Sequence, residues 1–484
     1  MNDMSQNSSL HKALIEYSKS DFCPMHMPGH KRNPEYIVDG LPYYMDITEI
    51  EGFDNLGNPE GIIKEAEDRG CKLYGSKRTY FLVNGSTSGI LAGIRAVVNY
   101  GDKVIVSRNS HKAVYHAIEL NGLNTYYLNP TEDEEYQISG SISLEMVKEA
   151  IHKNEDAKLI ILTSPTYEGV VSDIAGIVKL AHEKGIPVLV DEAHGAHFGF
   201  TKGFSSNSIK AGADIVIHSL HKTLPALTQC ALAHVGGNMV DMDRLSKEIS
   251  IFQTSSPSYI LMSSIDNCIN VLMDRGEELF YQYEKNLDLF SDKLRELKKL
   301  NVLCKGMDRL QNHPMLHEFD KGKIIISTKG TNYTGSMLAE VLRDKYHIVI
   351  EMASVNYVVA MTSICDSKEN FSRLLEALLE IDKECIQVNE GEIPSKIISQ
   401  ELPKMKYKIS DVCNNKGTFV YLEKSIGHIS LEYVWAYPPG IPLIVPGEII
   451  TKNTIDNFME KIDSGIILRS TKGRLPEEIN VKMD

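Results

Sequence analysis

Lys222 stands in the stretch Ser219-Leu220-His221-Lys222-Thr223, directly after the apolar run ADIVIHS. A lysine at the carboxyl end of a strand, partly desolvated or beside another cation, loses basicity and becomes a Schiff-base nucleophile. The plainer alternative is a surface lysine leaving the sheet. Asp191-Glu192-Ala193-His194 ends another apolar run, IPVLV. A carboxylate there can pair with a protonated pyridine nitrogen and keep the ring electron-withdrawing, although strand-terminal turns and helix caps use Asp as well. Asp191, His194 and His197 also make a D-x-x-H-x-x-H spacing that could ligate zinc; otherwise His197 reads as a structural histidine.

Asn84-Gly85-Ser86-Thr87-Ser88-Gly89 precedes the helical pattern ILAGIRAVV. Small hydroxyl residues and open backbone N–H groups at a helix start attract phosphate, and the helix dipole adds to the pull. The segment has neither the Gly-Lys pair of a Walker loop nor G-x-G-x-x-G, which disfavours a nucleotide. His111 follows the run DKVIV through the loop Ser107-Arg108-Asn109-Ser110, where an imidazole could stack on a planar ring. A phosphate cradle, a stacking ring, a carboxylate for a pyridine nitrogen and a Schiff-base lysine together describe a pyridoxal 5'-phosphate site.

The elements that would hold these residues are legible in the pattern. DKVIV, AKLIILT, IPVLVDE and ADIVIHS are short Val/Ile-rich runs, and IAGIVKLAHEKG between two of them is a helix closing on Gly185. Strand and helix alternating in this way predict a mainly parallel sheet covered on both faces, and ligands of such sheets sit beyond the carboxyl ends of the strands. A charged helical pattern over 275–300 reads as a domain connector. Strands KIIIST and YVVAMT and the helix FSRLLEALLEIDKE then predict a smaller α+β domain. The expected division is an N-terminal arm over 1–45, a cofactor-binding large domain over 46–310 and a C-terminal α+β domain over 311–484, with a linker near 388–405 ahead of YPPGIPLIVPGE.

A chain of 484 residues, 42% hydrophobic and 24% charged, has the composition of a folded multi-domain protein. Its net charge of −14 disfavours nucleic acid and anionic membranes and suits cationic substrates. The polar N-terminus lacks the apolar stretch of a signal peptide and no segment reaches membrane-spanning length, so the cytoplasm is the expected location. Eight scattered cysteines without CxxC pairing read as reduced thiols.

Met27-Pro28-Gly29-His30-Lys31, DITEIEGFDNLGNPEG, VNGSTSG, SPTYEGVVSDI, VDEAHGAH, SLHKTLPALTQ, Tyr437-Pro438-Pro439-Gly440-Ile441-Pro442 and Pro446-Gly447-Glu448 occur in an order that resembles the Orn/Lys/Arg decarboxylase family, nearly end to end. The resemblance implies an aspartate-aminotransferase-like, fold type I α/β large domain, with a short arm where long members carry a receiver-like domain. It implies Lys222 as the Schiff-base lysine and Ser86, Thr87, Ser219 and His221 around the phosphate, with Ser88 in the same cradle. His111 would stack on one ring face and Ala193 pack on the other, Asp191 would meet the pyridine nitrogen, and His194 would lie near the phenolic oxygen. Thr254, Ser255 and Ser256 would reach the phosphate of a neighbouring subunit, which implies a homodimer at least. Lys222 or His221 would reprotonate the α-carbon. The expected substrate is a basic amino acid, arginine before lysine and ornithine, with Asp320 as the acid for its distal cation and Glu448 as the fallback. An aminotransferase or acyl transferase on the same lysine and a zinc hydrolase using Asp191, His194 and His197 are the competing readings.

Overall fold

The computed structural model describes residues 9–133, 135–303, 315–388, 402–437 and 440–483. Pro438 and Pro439 of the YPPGIP motif, Cys304, most of the expected linker and the start of the arm lie outside the described residues. In chain order come α1 (Leu10–Ser18), α2 (Ile62–Tyr74), β1 (Arg78–Leu82), α3 (Gly85–Val97), β2 (Lys103–Ser107), α4 (Lys112–Leu120), β3 (Asn124–Leu128), α5 (Leu144–Lys153), β4 (Leu159–Thr163), β5 (Val170–Val171) and α6 (Ile174–His182). There follow β6 (Val188–Asp191), β7 (Ile215–Ser219), α7 (Leu220–Thr223), β8 (Ala231–Val235), α8 (Met242–Phe252) and the 35-residue α9 (Tyr259–Lys293). The connecting helix expected over 275–300 is this α9, which begins earlier.

Seven strands form one sheet in the order β1-β8-β7-β6-β4-β2-β3. The β2–β3, β2–β4 and β6–β7 pairs are parallel, and β8 runs antiparallel to both β1 and β7. The four Val/Ile-rich runs are β2, β4, β6 and β7, as their composition predicts. β1 and β8, the sheet's antiparallel members, were not singled out by it. By their contacts the described residues fall into two compact units: residues 1–97 with 187–281, and 98–186 with 282–484.

In the first unit Asp54 organises the entry to α2. Its carboxylate accepts the N–H groups of Gly61 and Ile63 at 2.8 and 3.0 Å and, through the other oxygen, those of Asn55 and Glu60. Burial opposes the ionised carboxylate, but these N–H donors outweigh it and hold its pKa below the usual value. The DITEIEGFDNLGNPEG motif thus caps a helix. Farther on, α3 lies against the sheet through two glycines: a Cβ on Gly89 would stand 2.5 Å from Leu82 Cδ1, and one on Gly93 would stand 2.9 Å from Leu189 Cδ1. Only a hydrogen fits there. Arg95 then ties α3 to α8 through Glu248 at 2.7 Å.

In the second unit β9 (Asn301–Val302), β11 (Lys323–Ser327), β12 (Met352–Ala353) and β13 (Tyr357–Met361) make an antiparallel sheet ordered β12-β13-β11-β9, with α10 (Gly335–Tyr346) between β11 and β12 in the chain and α11 (Lys368–Glu384) after β13. Two three-stranded sheets and a helix at Lys452–Asp463 complete the C-terminal part, around a core that includes Val434, Ile444, Ile450 and Phe458.

Candidate active site

The alternation of a strand sends successive side chains to opposite faces. Leu189, Asp191, Ile215, Ile217 and Ser219 share one parity, and Leu189, Ile215 and Ile217 are the side chains that meet Gly89 and Gly93 of α3. Asp191 and Ser219 therefore end their strands on the α3 side. α3 starts at Gly85, whose φ of +74° suits a residue without a Cβ. Ser86 is half-buried and Thr87 exposed in its first turn, whereas buried Ser88 donates its hydroxyl to Gly85 O at 2.8 Å.

Asp191 is 3% exposed, and its Oδ1 accepts the Ala193 N–H at 3.2 Å. Burial raises its pKa, against the lowering pull of Lys222 and of that N–H. Lys222 sits on the single turn α7, with Nζ 2.9 Å from His194 Nε2. His221 directs Nδ1 at Cys230 O, 3.1 Å away. Burial lowers its pKa, Lys222 lowers it further and the carbonyl opposes them. Ser219 Oγ and Thr223 Oγ1 are buried with no hydrogen-bond partner among the described residues. Thr254, Ser255 and Ser256 are exposed in the loop between α8 and α9.

His197 packs edge-on against Phe204 at 5.0 Å and beside Phe198. Among the described residues no group of three His, Cys, Asp or Glu side chains is arranged to hold a metal ion. The D-x-x-H-x-x-H spacing thus does not become a cluster, because His194 turns toward Lys222 and His197 toward phenylalanines.

The remaining candidates belong to the second unit. His111 caps α4, its Nδ1 accepting the Ala113 N–H at 3.2 Å, and Lys112 N donates to Gly440 O. Asp320 is 1% exposed in the turn between β10 (Glu318–Phe319) and β11, so it is no solvent-facing residue. Its N–H donates to Gly169 O at 2.8 Å and its Oδ1 accepts the Gly322 N–H at 2.9 Å. Glu448 is occupied by a residue to which the sequence reading gave no role. Arg108 places Nη2 at 3.4 and 3.3 Å from the two Glu448 oxygens and donates from Nη1 to Tyr115 Oη and Pro442 O, both at 2.7 Å. Burial works against the Arg108 charge, but Glu448 and two tyrosines raise its pKa above the ordinary value.

Comparison with known proteins agrees with this architecture. The model of "Orn/Lys/Arg decarboxylase, major domain" matches residues 8–370, and that of "Orn/Lys/Arg decarboxylase, C-terminal domain" matches residues 396–466. An arginine decarboxylase of Bacillus subtilis is 33% identical over 96% of this chain and 95% of its own length; one of Bacillus anthracis is 31% identical over 94% and 93%. The solved constitutive lysine decarboxylase of E. coli superposes with a TM-score of 0.81 at 20% identity, covering 98% of this chain and 82% of that one. The fold is that α/β architecture with a smaller C-terminal part, and this chain belongs to the Orn/Lys/Arg decarboxylase family.

Proposed function

We propose that the protein is a pyridoxal-phosphate-dependent decarboxylase of a basic L-amino acid, taking arginine ahead of lysine and ornithine and releasing agmatine and carbon dioxide into polyamine synthesis. The observation that carries the reading is Lys222 Nζ held 2.9 Å from His194 Nε2 in the company of buried Asp191. Near-full-length relatives named arginine decarboxylase support the order of substrates.

The residues fit the cofactor. Lys222 offers an amine for its aldehyde and Asp191 an acceptor for its ring N–H. The unpartnered hydroxyls of Ser219 and Thr223, with the start of α3 at Ser86 and Thr87, offer donors for its phosphate. When bound, the cofactor supplies an electron sink for the pair left on the α-carbon as carbon dioxide departs. Asp191 keeps the ring nitrogen protonated, and its burial removes water that would screen the pairing. His111 would stack on the ring, and the methyl of Ala193 would allow close packing on a ring face. Lys222, as an ammonium group, would be stationed to return a proton to the α-carbon. His221, whose pKa burial and Lys222 lower against the pull of Cys230 O, is the second candidate for that transfer and would act in its protonated form. Thr254 and Ser256, exposed in their loop, serve the cofactor of a second subunit, which makes the working unit a homodimer or larger. No helix among the described residues is long and apolar enough to cross a membrane, and we place the enzyme in the cytoplasm.

Incubation with arginine, lysine and ornithine separately, with trapping of carbon dioxide and identification of the amine, tests the reading. Agmatine formed fastest is the expected result. A keto acid without carbon dioxide would make the protein an aminotransferase instead.

A further inference from the structure

The face of the sheet turned away from Asp191 and Ser219 carries a buried polar layer that the chemistry above does not use. Glu192 follows Asp191 and His218 precedes Ser219, so both point to this opposite face. They are 2% and 0% exposed. His218 Nε2 lies 2.7 Å from Glu192 Oε2. The same carboxylate accepts the Ser208 N–H, at 3.1 and 3.2 Å from its two oxygens, and the Ser208 hydroxyl at 2.6 Å. His218 Nδ1 has no partner among the described residues, so the bond from Nε2 to Glu192 carries the ring's hydrogen bonding. Tyr74 of α2 and His234 of β8 cover that ring, with centroids 4.9 and 4.8 Å away. His234 in turn is tied by Nδ1 to Thr79 Oγ1 at 2.8 Å.

The register of β6 and β7 pairs Leu189 with Ile215, Val190 with Val216 and Asp191 with Ile217. The next pair along would be Glu192 and His218, where β6 has already ended. Here the side-chain bond continues the ladder for one step beyond the backbone hydrogen bonds. Burying a carboxylate in an apolar sheet is costly unless every lone pair is engaged, and this one accepts three donors.

We propose that Glu192 and His218 are positioning residues: their bond clamps the carboxyl ends of β6 and β7 together from behind, and so fixes the span between Asp191 and Ser219. Under the function proposed above, that span sets the distance between the group meeting the cofactor's ring nitrogen and the hydroxyl meeting its phosphate. Neither residue touches cofactor or substrate. A carboxylate displaced by about an ångström loses a large part of its effect.

The test compares His218→Leu, His218→Gln and Thr79→Val with the wild type, all as full-length holoenzyme. Cofactor dissociation constant, the pH titration of the visible absorbance and melting temperature are each measured. His218→Leu is expected to weaken cofactor binding by about tenfold and to shift the titration of the absorbance. His218→Gln, which keeps an N–H donor, should recover most of both. Thr79→Val breaks the neighbouring His234 bond in the same buried layer and should lower only the melting temperature. If His218→Leu does not fold, Ser208→Ala, which removes one donor from Glu192, is expected to give the same spectral shift in weaker form. Unchanged cofactor affinity and titration in a folded His218→Leu or Ser208→Ala variant would overturn the clamp, as would an equal loss in Thr79→Val. A wild type that acquires no visible absorbance with pyridoxal phosphate would overturn the functional reading itself, and the clamp with it.

Discussion

Arg108 and Glu448 form a buried ion pair in which most of the bonding capacity is spent. The guanidinium reaches a tyrosine hydroxyl and two backbone carbonyls besides the carboxylate, and Glu448 Oε2 accepts the Val445 N–H at 2.9 Å. Around Lys222 the arrangement is the reverse. Asp191 has burial raising its pKa, and the nearby hydroxyls of Ser219 and Thr223 lack partners among the described residues. Both regions bury charge; one is met within the chain except at Arg108 Nε, while under the proposed function the other would be completed by a ligand. A buried pair whose donors and acceptors are met gives shape, and one left incomplete stores a preference for what will complete it.

Breaking the unfinished side has the largest effect on turnover. Lys222→Ala is expected to reduce carbon dioxide release by more than about a thousandfold, with the circular dichroism melt nearly unchanged; appreciable turnover would remove Lys222 from its role. Asp191→Ala should lower activity by about a hundredfold or more, which steady-state kinetics on the cofactor-saturated protein will read.

Breaking the finished side should act on stability instead. Glu448→Ala strands the Arg108 charge and is expected to cost about 3–5 kcal/mol in urea unfolding. A loss below about 1 kcal/mol would show that water reaches the guanidinium.

The pH dependence sharpens the contrast. Because burial raises the folded pKa of Asp191 above its unfolded value, the folded cofactor-free protein binds the proton more tightly. Its stability relative to Asp191→Asn therefore falls as pH rises from the unfolded pKa through the folded one, and stays lower above it. The Asn variant should melt at a higher temperature than the wild type at neutral pH and show no advantage in acid. Equal melting at both pH values would contradict the burial argument.

The smallest effect is expected at Asp320. Its Oδ1 serves a turn, so Asp320→Asn should cost about 1 kcal/mol and, with Asp320 as the proposed acid for the distal cation, should raise KM for arginine by about tenfold. An unchanged KM would take that carboxylate away from the substrate's distal cation.

The sequence made the unfinished site more legible than the finished one for a physical reason. Asp191, Ser219 and Lys222 each follow an apolar run directly, and the rule that ligands sit beyond strand ends locates them from local pattern. Arg108 and Glu448 are 340 residues apart in the chain. Nothing in either neighbourhood names the other, although an arginine inside a short loop and a glutamate after Pro-Gly were both visible. Glu192 and His218 escaped for a subtler reason. A strand buried on both faces lacks the polar alternation that marks which way a side chain points, so a histidine within IVIHS passes for part of the run. β1 and β8 went unread because RTYFL and ALAHV carry only brief apolar patterns.

The contact of α3 with the sheet through Gly89 and Gly93 has a mechanical consequence. Where two elements meet through long side chains, rotamer changes can absorb a displacement. Here the α3 backbone comes directly against Leu82 and Leu189, so a shift of the helix toward the strands must be taken up by those two buried leucines. Ser86 and Thr87, in the first turn of that helix, are thus placed by its contact with the sheet rather than by a loop.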